Sequence, residues 1–101
     1  MAIQTRRDDD GQTLTIHIEG RFDFSTHQAF RDAYEHGDQD VTSYVIDMSK
    51  ATYLDSSALG MLLLLRDYAG GDSARIEIEN CNSDVRRILT ISNFEQLFSI
   101  S

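Results

Sequence analysis

The 101-residue chain contains one cysteine, Cys81, and one lysine, Lys50. A lone cysteine cannot form an internal disulfide, and without a neighbouring cysteine it cannot form a redox or zinc pair. Cys81 is therefore expected to be a small buried thiol. Because arginines and aromatic residues do not cluster around the single lysine, the basic stripe of a nucleic-acid-binding surface is missing as well. We expect no nucleic-acid partner.

Long hydrophobic runs are also missing. The longest, from Ala58 to Leu65, is far shorter than the roughly 20 residues that span a bilayer. The opening residues, MAIQTRRDDD, lack the basic-then-apolar order of a secretory signal. These two absences predict a cytoplasmic protein without membrane insertion.

Acidic residues outnumber basic ones by 17 to 9, which gives a formal charge of −8 and a pI near 4.6. Such a surface repels polyanions and attracts basic protein patches. The length, with 41% hydrophobic residues, is enough for one core and too short for two. We therefore predict a single domain over residues 1–101.

Hydrophobic alternation marks the strands. The segment TLTIHIEG alternates apolar and polar residues, which indicates a strand with one wet face, and AIQTRR precedes it as a weaker strand. The DDDG between them is typical of a hairpin turn. Two further strands are predicted in VTSYVIDM and ARIEIEN.

Helices are predicted between these strands. The first is capped by Ser25 or Thr26, buries Phe30, Ala33 and Tyr34, and ends at Gly37. The second ends at Gly70 and Gly71. The third is capped by Asn82 or Ser83 and buries Val85, Ile88 and Leu89, before FEQLFSI closes the chain in an extended or packed form. Strand–helix–strand units require parallel neighbours, and the hairpin is antiparallel, so we expect an α/β fold with a mixed sheet and helices on one face.

The second helix raises the functional question, because the polar residues Asp55, Ser56 and Ser57 directly precede its leucines. Helical spacing predicts a core-facing side, and an opposite side on which Leu59, Gly60 and Leu63 accompany Arg66 and Asp67 toward solvent. The predicted core-facing residues are Ala58, Met61, Leu62, Leu65 and Tyr68.

The same spacing distinguishes the two serines. Ser56 extends the outward stripe and is expected to be accessible, whereas Ser57 leans inward and is expected to cap the helix or its turn. Gly60 costs about 1 kcal/mol of helix propensity relative to alanine, so its outward position suggests close approach by another chain. Two plainer readings stay open: Asp and Ser are ordinary helix starters, and FEQLFSI could cover the apolar stripe.

The segment YLDSSALG, with VIDMS before it and IHIEGRFDFST about thirty residues earlier, resembles the STAS domain of anti-sigma factor antagonists. The resemblance runs from about Thr13 to Phe98. It rests on Gly20, Phe22 and Asp23, which match a glycine–x–hydrophobic–Asp motif, and on an Asp–Ser–Ser/Thr–Gly–Leu–Gly helix start, where Ala58 replaces the usual glycine. The implied fold is a four- or five-stranded mixed sheet with helices packed on one face.

The resemblance also implies a mechanism, in which Ser56 is phosphorylated to switch partners. Asp55 would position the hydroxyl or the kinase, Ser57 would support the turn, and Asp23 would lie nearby. The implied partners are an anti-sigma factor or equivalent regulator with serine kinase activity and a metal-dependent serine phosphatase, so that the chain itself needs no cofactor or metal.

Two other classes of function stay open. A hydrolase would need chemistry from His17, His27 or His36, but no nucleophile elbow or phosphate loop accompanies them, and solvated histidines are expected. A non-switching STAS scaffold, such as the small subunit that docks on the ATPase of a lipid transporter, would use the same helix as a permanent interface.

Overall fold

The structure is a computed structural model that describes residues 3–8, 11–35 and 41–101. Within those residues it has one sheet of five strands in the order β1-β2-β3-β4-β5. The strands are β1 (Ile3–Arg7), β2 (Thr13–Phe22), β3 (Ser43–Leu54), β4 (Ile76–Glu79) and β5 (Ser99–Ile100). The helices are α1 (His27–Glu35), α2 (Ser56–Tyr68) and α3 (Ser83–Ile91). Short 3-10 turns cover Phe24–Thr26, Gly71–Ser73 and Phe94–Gln96.

The pairing of the strands confirms the mixed sheet. β1 pairs with β2 in antiparallel fashion, and β2, β3, β4 and β5 run parallel to one another. The predicted hairpin turn is described at its two ends, where the Asp8 carbonyl accepts from the Gly11 amide at 2.8 Å. Its two middle residues, 9 and 10, lie outside the described residues. The predicted end of α1 at Gly37, and His36 beside it, lie outside the described residues.

One face of the sheet carries the core. Alternate side chains of β2, β3 and β4 are buried beneath the helices, which confirms their predicted position on one side. These core side chains are Leu14, Ile16, Ile18, Tyr44, Ile46, Met48, Ile76 and Ile78. The other face is polar, with half-buried His17 and Asp47 paired in register.

Gly20 lies at an irregularity near the end of β2, where the register with β3 shifts. Its φ of 76° belongs to the left-handed region, which costs a residue with a Cβ about 1–2 kcal/mol. Glycine therefore permits the bend that leads the chain from β2 into the loop at Asp23.

The end of the chain completes the sheet. FEQLFSI forms a 3-10 turn followed by β5, with Phe94 and Phe98 buried against the core. Asn82 caps α3 by accepting from the Val85 amide at 2.8 Å, which confirms one of the two predicted caps.

Candidate functional site

The start of α2 is capped by Asp55. Its Oδ1 accepts a hydrogen bond from the Ala58 amide at 3.0 Å, and its extended backbone conformation, with φ of −108° and ψ of −179°, is that of an N-cap. The prediction that Ser57 caps the helix or its turn was therefore wrong in its choice of residue. Asp55 lies two residues nearer the sheet than Ser57, and from there its carboxylate reaches the third amide of the helix.

The two serines differ in exposure as expected. Ser56 is the first residue of α2 and is exposed, whereas Ser57 is half-buried. Ser56 thus combines an accessible hydroxyl with a position at the positive end of the helix dipole.

The exposed side of α2 next to Ser56 contains Gly60 and Leu63, and the Leu63 side chain is 42% exposed. A Cβ placed on Gly60 would meet no atom within 4 Å. The molecule itself therefore gives no steric reason for a glycine here, which leaves approach by another chain as one explanation.

Two residues of α2 lie differently from the helical-wheel prediction. Tyr68 is 52% exposed instead of core-facing, because the buried face is centred on Ala58, Leu62 and Leu65 and Tyr68 falls on its edge. Leu59 is half-buried and packs against the core instead of facing solvent. Ala58, Met61, Leu62 and Leu65 are buried as predicted.

The carboxyl-terminal segment reaches the same flank of α2 as Leu59. Two turns beyond Leu59, the Arg66 guanidinium donates to the Leu97 carbonyl at 3.3 Å. The segment does not cover Leu63 or Ser56, and both side chains are exposed. The plainer reading, in which FEQLFSI covers the apolar stripe, therefore fails for Leu63.

The loop that carries Asp23 lies beside this helix start. Phe22 and Leu54 are register partners at the ends of β2 and β3, and the Asp55 amide donates to the Phe22 carbonyl at 3.4 Å. Parallel strands bring both chain segments out at the same edge of the sheet. Asp23 and Asp55 thus follow the ends of neighbouring strands.

Asp23 acts as the cap of the 3-10 turn that precedes α1. Its carboxylate accepts from the Ser25 amide at 3.0 Å and from the Ser25 hydroxyl, while the Thr26 hydroxyl donates to the Asp23 carbonyl at 2.7 Å. The predicted caps Ser25 and Thr26 were wrong, since both hydroxyls act as donors to Asp23. The Ser25 hydrogen bond, helped by Arg21, lowers the pKa of the Asp23 carboxyl against the opposing effect of desolvation.

Aromatic residues around the loop were not predicted as part of the site. Phe24 is 71% exposed, and its ring stacks on His27 with the centroids 5.8 Å apart. Arg21 lies over the Tyr53 ring at 4.5 Å and donates to Asp23 at 3.3 Å. The alternation of β2 and β3, with Phe22 and Leu54 inward, was the available signal that Arg21 and Tyr53 face outward.

His17 is not the freely solvated histidine that was expected. Its Nδ1 lies 2.8 Å from Asp47 Oδ2 on the polar face of the sheet. Burial would raise the pKa of Asp47, but hydrogen bonds from the Ser49 amide, Asn80 and His17 outweigh it and lower the pKa to about 2. This pair ties β2 to β3 away from the helix face that carries Ser56.

A groove of about 510 Å³ lies at the end of the sheet opposite to Ser56. Thr13, Ser43 and Ile76, which begin three parallel strands, line it, whereas Ser56 follows the carboxyl end of β3. The groove is therefore separate from the site at Ser56.

Within residues 3–8, 11–35 and 41–101, histidine, cysteine and acidic side chains do not form a group of three fit to hold a metal ion. The described helices all fall short of the length and hydrophobicity of a membrane-spanning segment. Cys81 is half-buried, and burial raises the pKa of its thiol.

Known proteins resemble the chain along nearly its whole length. A family model described as "Mlab, STAS domain" matches residues 5–99. A STAS-domain containing protein of Pseudomonas aeruginosa is 63% identical over 101 residues, which is 100% of both chains.

Solved structures share the fold at low identity. The anti-sigma factor antagonist SpoIIAA in its unphosphorylated form superposes with a TM-score of 0.80 at 20% identity, over 99% of this chain and 88% of that one. An anti-sigma factor antagonist from Mycobacterium paratuberculosis gives 0.75 at 20% identity, over 97% and 84%. The phosphorylated form of Bacillus SpoIIAA gives 0.69 at 17% identity, over 99% and 91%. With its five-stranded mixed sheet, its motifs and these matches, the chain belongs to the STAS-domain family and has the fold of the anti-sigma factor antagonists.

Proposed function

We propose that this protein is an anti-sigma factor antagonist in a partner-switching pathway. Unmodified, it binds an anti-sigma factor or an equivalent regulator with serine kinase activity, and phosphorylation of Ser56 releases that partner. The observation that carries the proposal is the exposed Ser56 hydroxyl at the first position of α2, beside exposed Gly60 and Leu63, in a chain of this family.

The domain should tolerate a phosphate at this position. A phosphoserine adds about −1.5 to −2 charge and three acceptor oxygens. At the start of α2 the new charge meets free backbone amides and the positive end of the helix dipole, which favour anions. Because Ser56 is exposed, the phosphate also keeps most of its water. We expect the fold to survive.

The bound regulator experiences the opposite effect. Docking over Ser56 and Leu63 would strip water from the dianion, and a surface fitted to a neutral hydroxyl has no counter-charge ready for it. Leaving a charge buried and unpaired at an interface costs about 2–5 kcal/mol. Since 1.4 kcal/mol corresponds to about tenfold in affinity, phosphorylation should weaken binding by roughly thirtyfold or more.

The neighbouring residues take supporting parts in this proposal. Asp55 fixes the first turn of α2 and thereby orients the Ser56 hydroxyl toward a kinase. Asp23 shapes the adjacent loop, and Leu59, Gly60 and Leu63 form the partner surface, with Leu59 contributing only its accessible edge. Ser57, half-buried in the same turn, adds its accessible part to this surface.

The chemistry is assigned to the partners. The regulator supplies the kinase with its nucleotide and magnesium, and a metal-dependent serine phosphatase reverses the modification. The antagonist itself serves as a substrate and a binding surface, without catalysis.

The test uses three forms of the full chain, wild type, Ser56→Ala and Ser56→Asp, with Ser57→Ala as the matched control. Ser56→Ala should capture the regulator constitutively, and Ser56→Asp should capture it poorly. Ser57→Ala keeps the Ser56 hydroxyl, so phosphorylation should still release the regulator from it as from the wild type. Equal capture of the regulator by Ser56→Ala and Ser56→Asp would defeat the proposal.

A second candidate is a non-switching STAS scaffold, such as the subunit that docks on the ATPase of a lipid transporter. The family model that matches is named for Mlab and not for an antagonist, and an exposed α2 surface suits a permanent interface equally well. Incubation with ATP and each neighbouring kinase separates the two candidates. One phosphate mass shift on Ser56 supports switching, and its absence with every kinase supports the scaffold.

A further inference from the structure

A second concave surface lies between the carboxyl-terminal halves of α1 and α2. This α1–α2 groove has a volume of about 330 Å³ and is lined by Arg31, Tyr34, Glu35, Leu64, Asp67 and Tyr68. Its α2 residues stand eight to twelve positions after Ser56, which at 1.5 Å per residue is about 12–18 Å along the helix. That separation exceeds the Debye length of about 8 Å at physiological ionic strength. The groove is therefore electrostatically remote from the proposed phosphorylation site.

The groove offers apolar and aromatic surface to a partner. Leu64 is 53% exposed and Tyr68 is 52% exposed, one turn apart on α2. Tyr34 is buried beneath them, with its ring centroid 5.1 Å from that of Tyr68. Aromatic side chains held in place by packing are the residues that most often dominate binding energy at protein interfaces.

The charges of the groove favour a cationic partner. Arg31 is already held by Glu35, with its Nε 2.7 Å from the carboxylate. Asp67 is exposed, and among the residues that the structure describes its carboxylate has no cationic partner. The lining therefore carries one uncompensated negative charge, within a chain of net charge −8. A second copy of this chain or a nucleic acid would be repelled on approach.

Tyr68 and Asp67 together fit an arginine. A guanidinium is attracted to the face of a tyrosine ring and forms strong hydrogen bonds with a carboxylate. Leu64, one turn earlier, suits an aliphatic side chain of the same segment.

We propose that the α1–α2 groove docks a basic, amphipathic segment of a partner protein, with an arginine against Tyr68 and Asp67 and an aliphatic side chain against Leu64. This docking is independent of the modification of Ser56. A partner bound here stays attached while the Ser56 surface is occupied or released. The proposal goes beyond the function proposed above and does not depend on it.

The experiment titrates the isotopically labelled full chain with a synthetic amphipathic helical peptide that has leucines on one face and arginines beside them. A peptide of the same composition in scrambled order controls for attraction to net charge alone. Amide shifts should centre on Tyr34, Leu64 and Tyr68. Tyr68→Ala and Leu64→Ala should weaken binding about tenfold or more, and Asp67→Asn should weaken it severalfold.

Two variants serve as controls in the same titration. Ile91→Ala removes an equally apolar side chain that is 74% exposed on α3, and it should bind the peptide as wild type does. Ser56→Asp should also bind unchanged. Equal binding of the scrambled peptide, no saturable binding of the patterned one, or equal losses in Ile91→Ala and Leu64→Ala would overturn the proposal. A loss of peptide binding in Ser56→Asp alone would contradict the claim that docking in the groove is independent of the modification of Ser56.

Discussion

Replacing Gly60 with alanine should stabilise the domain while weakening its complex with the regulator. Gly60 lies inside α2 with ordinary helical geometry, and a Cβ built there meets no atom within 4 Å. The folded state therefore accepts the methyl group without strain. The expected gain is the difference in helix propensity between alanine and glycine, about 0.8–1.0 kcal/mol.

The magnitude is measurable in a chain of this size. For a domain near 100 residues, 1 kcal/mol shifts Tm by about 4–8 °C. Urea unfolding followed by circular dichroism should show a higher midpoint with an unchanged slope. The same protein should bind the regulator captured by Ser56→Ala less tightly, because the added methyl fills the space into which the partner's chain packs.

Gly20→Ala is the matched control, since its Cβ also meets no atom within 4 Å. Here φ is 76°, so the same chemical change should destabilise the domain by about 1–2 kcal/mol. A lower Tm for Gly60→Ala would refute the claim that the folded domain has room for a Cβ at this position. A higher Tm with unchanged affinity would refute close approach of the partner at Gly60.

Three further predictions test other parts of the site. Asp55→Ala removes the cap on the Ala58 amide and should destabilise by about 0.5–2 kcal/mol in urea unfolding, whereas Asp55→Asn should retain most of that stability. Because the pKa of Asp47 is lowered to about 2 from 3.8, its contribution to stability is complete above about pH 4 and is lost as the pH falls toward 2. Asp47→Asn should reduce the dependence of the free energy of unfolding on pH in this range, and an unchanged dependence would contradict a role for Asp47. Phe24 is 71% exposed, so Phe24→Ala should change the free energy of unfolding by no more than about 0.5 kcal/mol and yet weaken regulator binding, with Ile91→Ala as the neutral control. Equal affinities of the wild type, Phe24→Ala and Ile91→Ala would exclude Phe24 from the interface.

Local sequence patterns predicted the elements because local forces determine them. Alternation in TLTIHIEG and IEIE reports which face of a strand is wet, and Asn82 before an amphipathic segment reports a helix start. The single-face packing of the helices followed from the polar half of the β2 alternation. These predictions need only the geometry of a strand and a helix.

Caps were harder to predict, because several candidate residues stood side by side. At both Asp23–Thr26 and Asp55–Ser57 the carboxylate took the capping position over the hydroxyls. Which residue accepts the amide depends on where the preceding strand ends. For these two loops that end is fixed by the register of β2 against β3.

By itself the sequence determined the order of the elements up to α3 and the contrast between exposed Ser56 and half-buried Ser57, since these follow from periodicity along single segments. It also determined the mixed sheet, which follows from the rules for connecting strands through hairpins and helices. Only the tertiary structure decided that Leu59 packs inward, that Tyr68 stays half-exposed over Tyr34, and that His17 binds Asp47. His17 and Asp47 are 30 residues apart in the sequence. All of these contacts depend on how closely neighbouring elements approach one another. A helical wheel gives the direction of a side chain but not the distance to what lies opposite it.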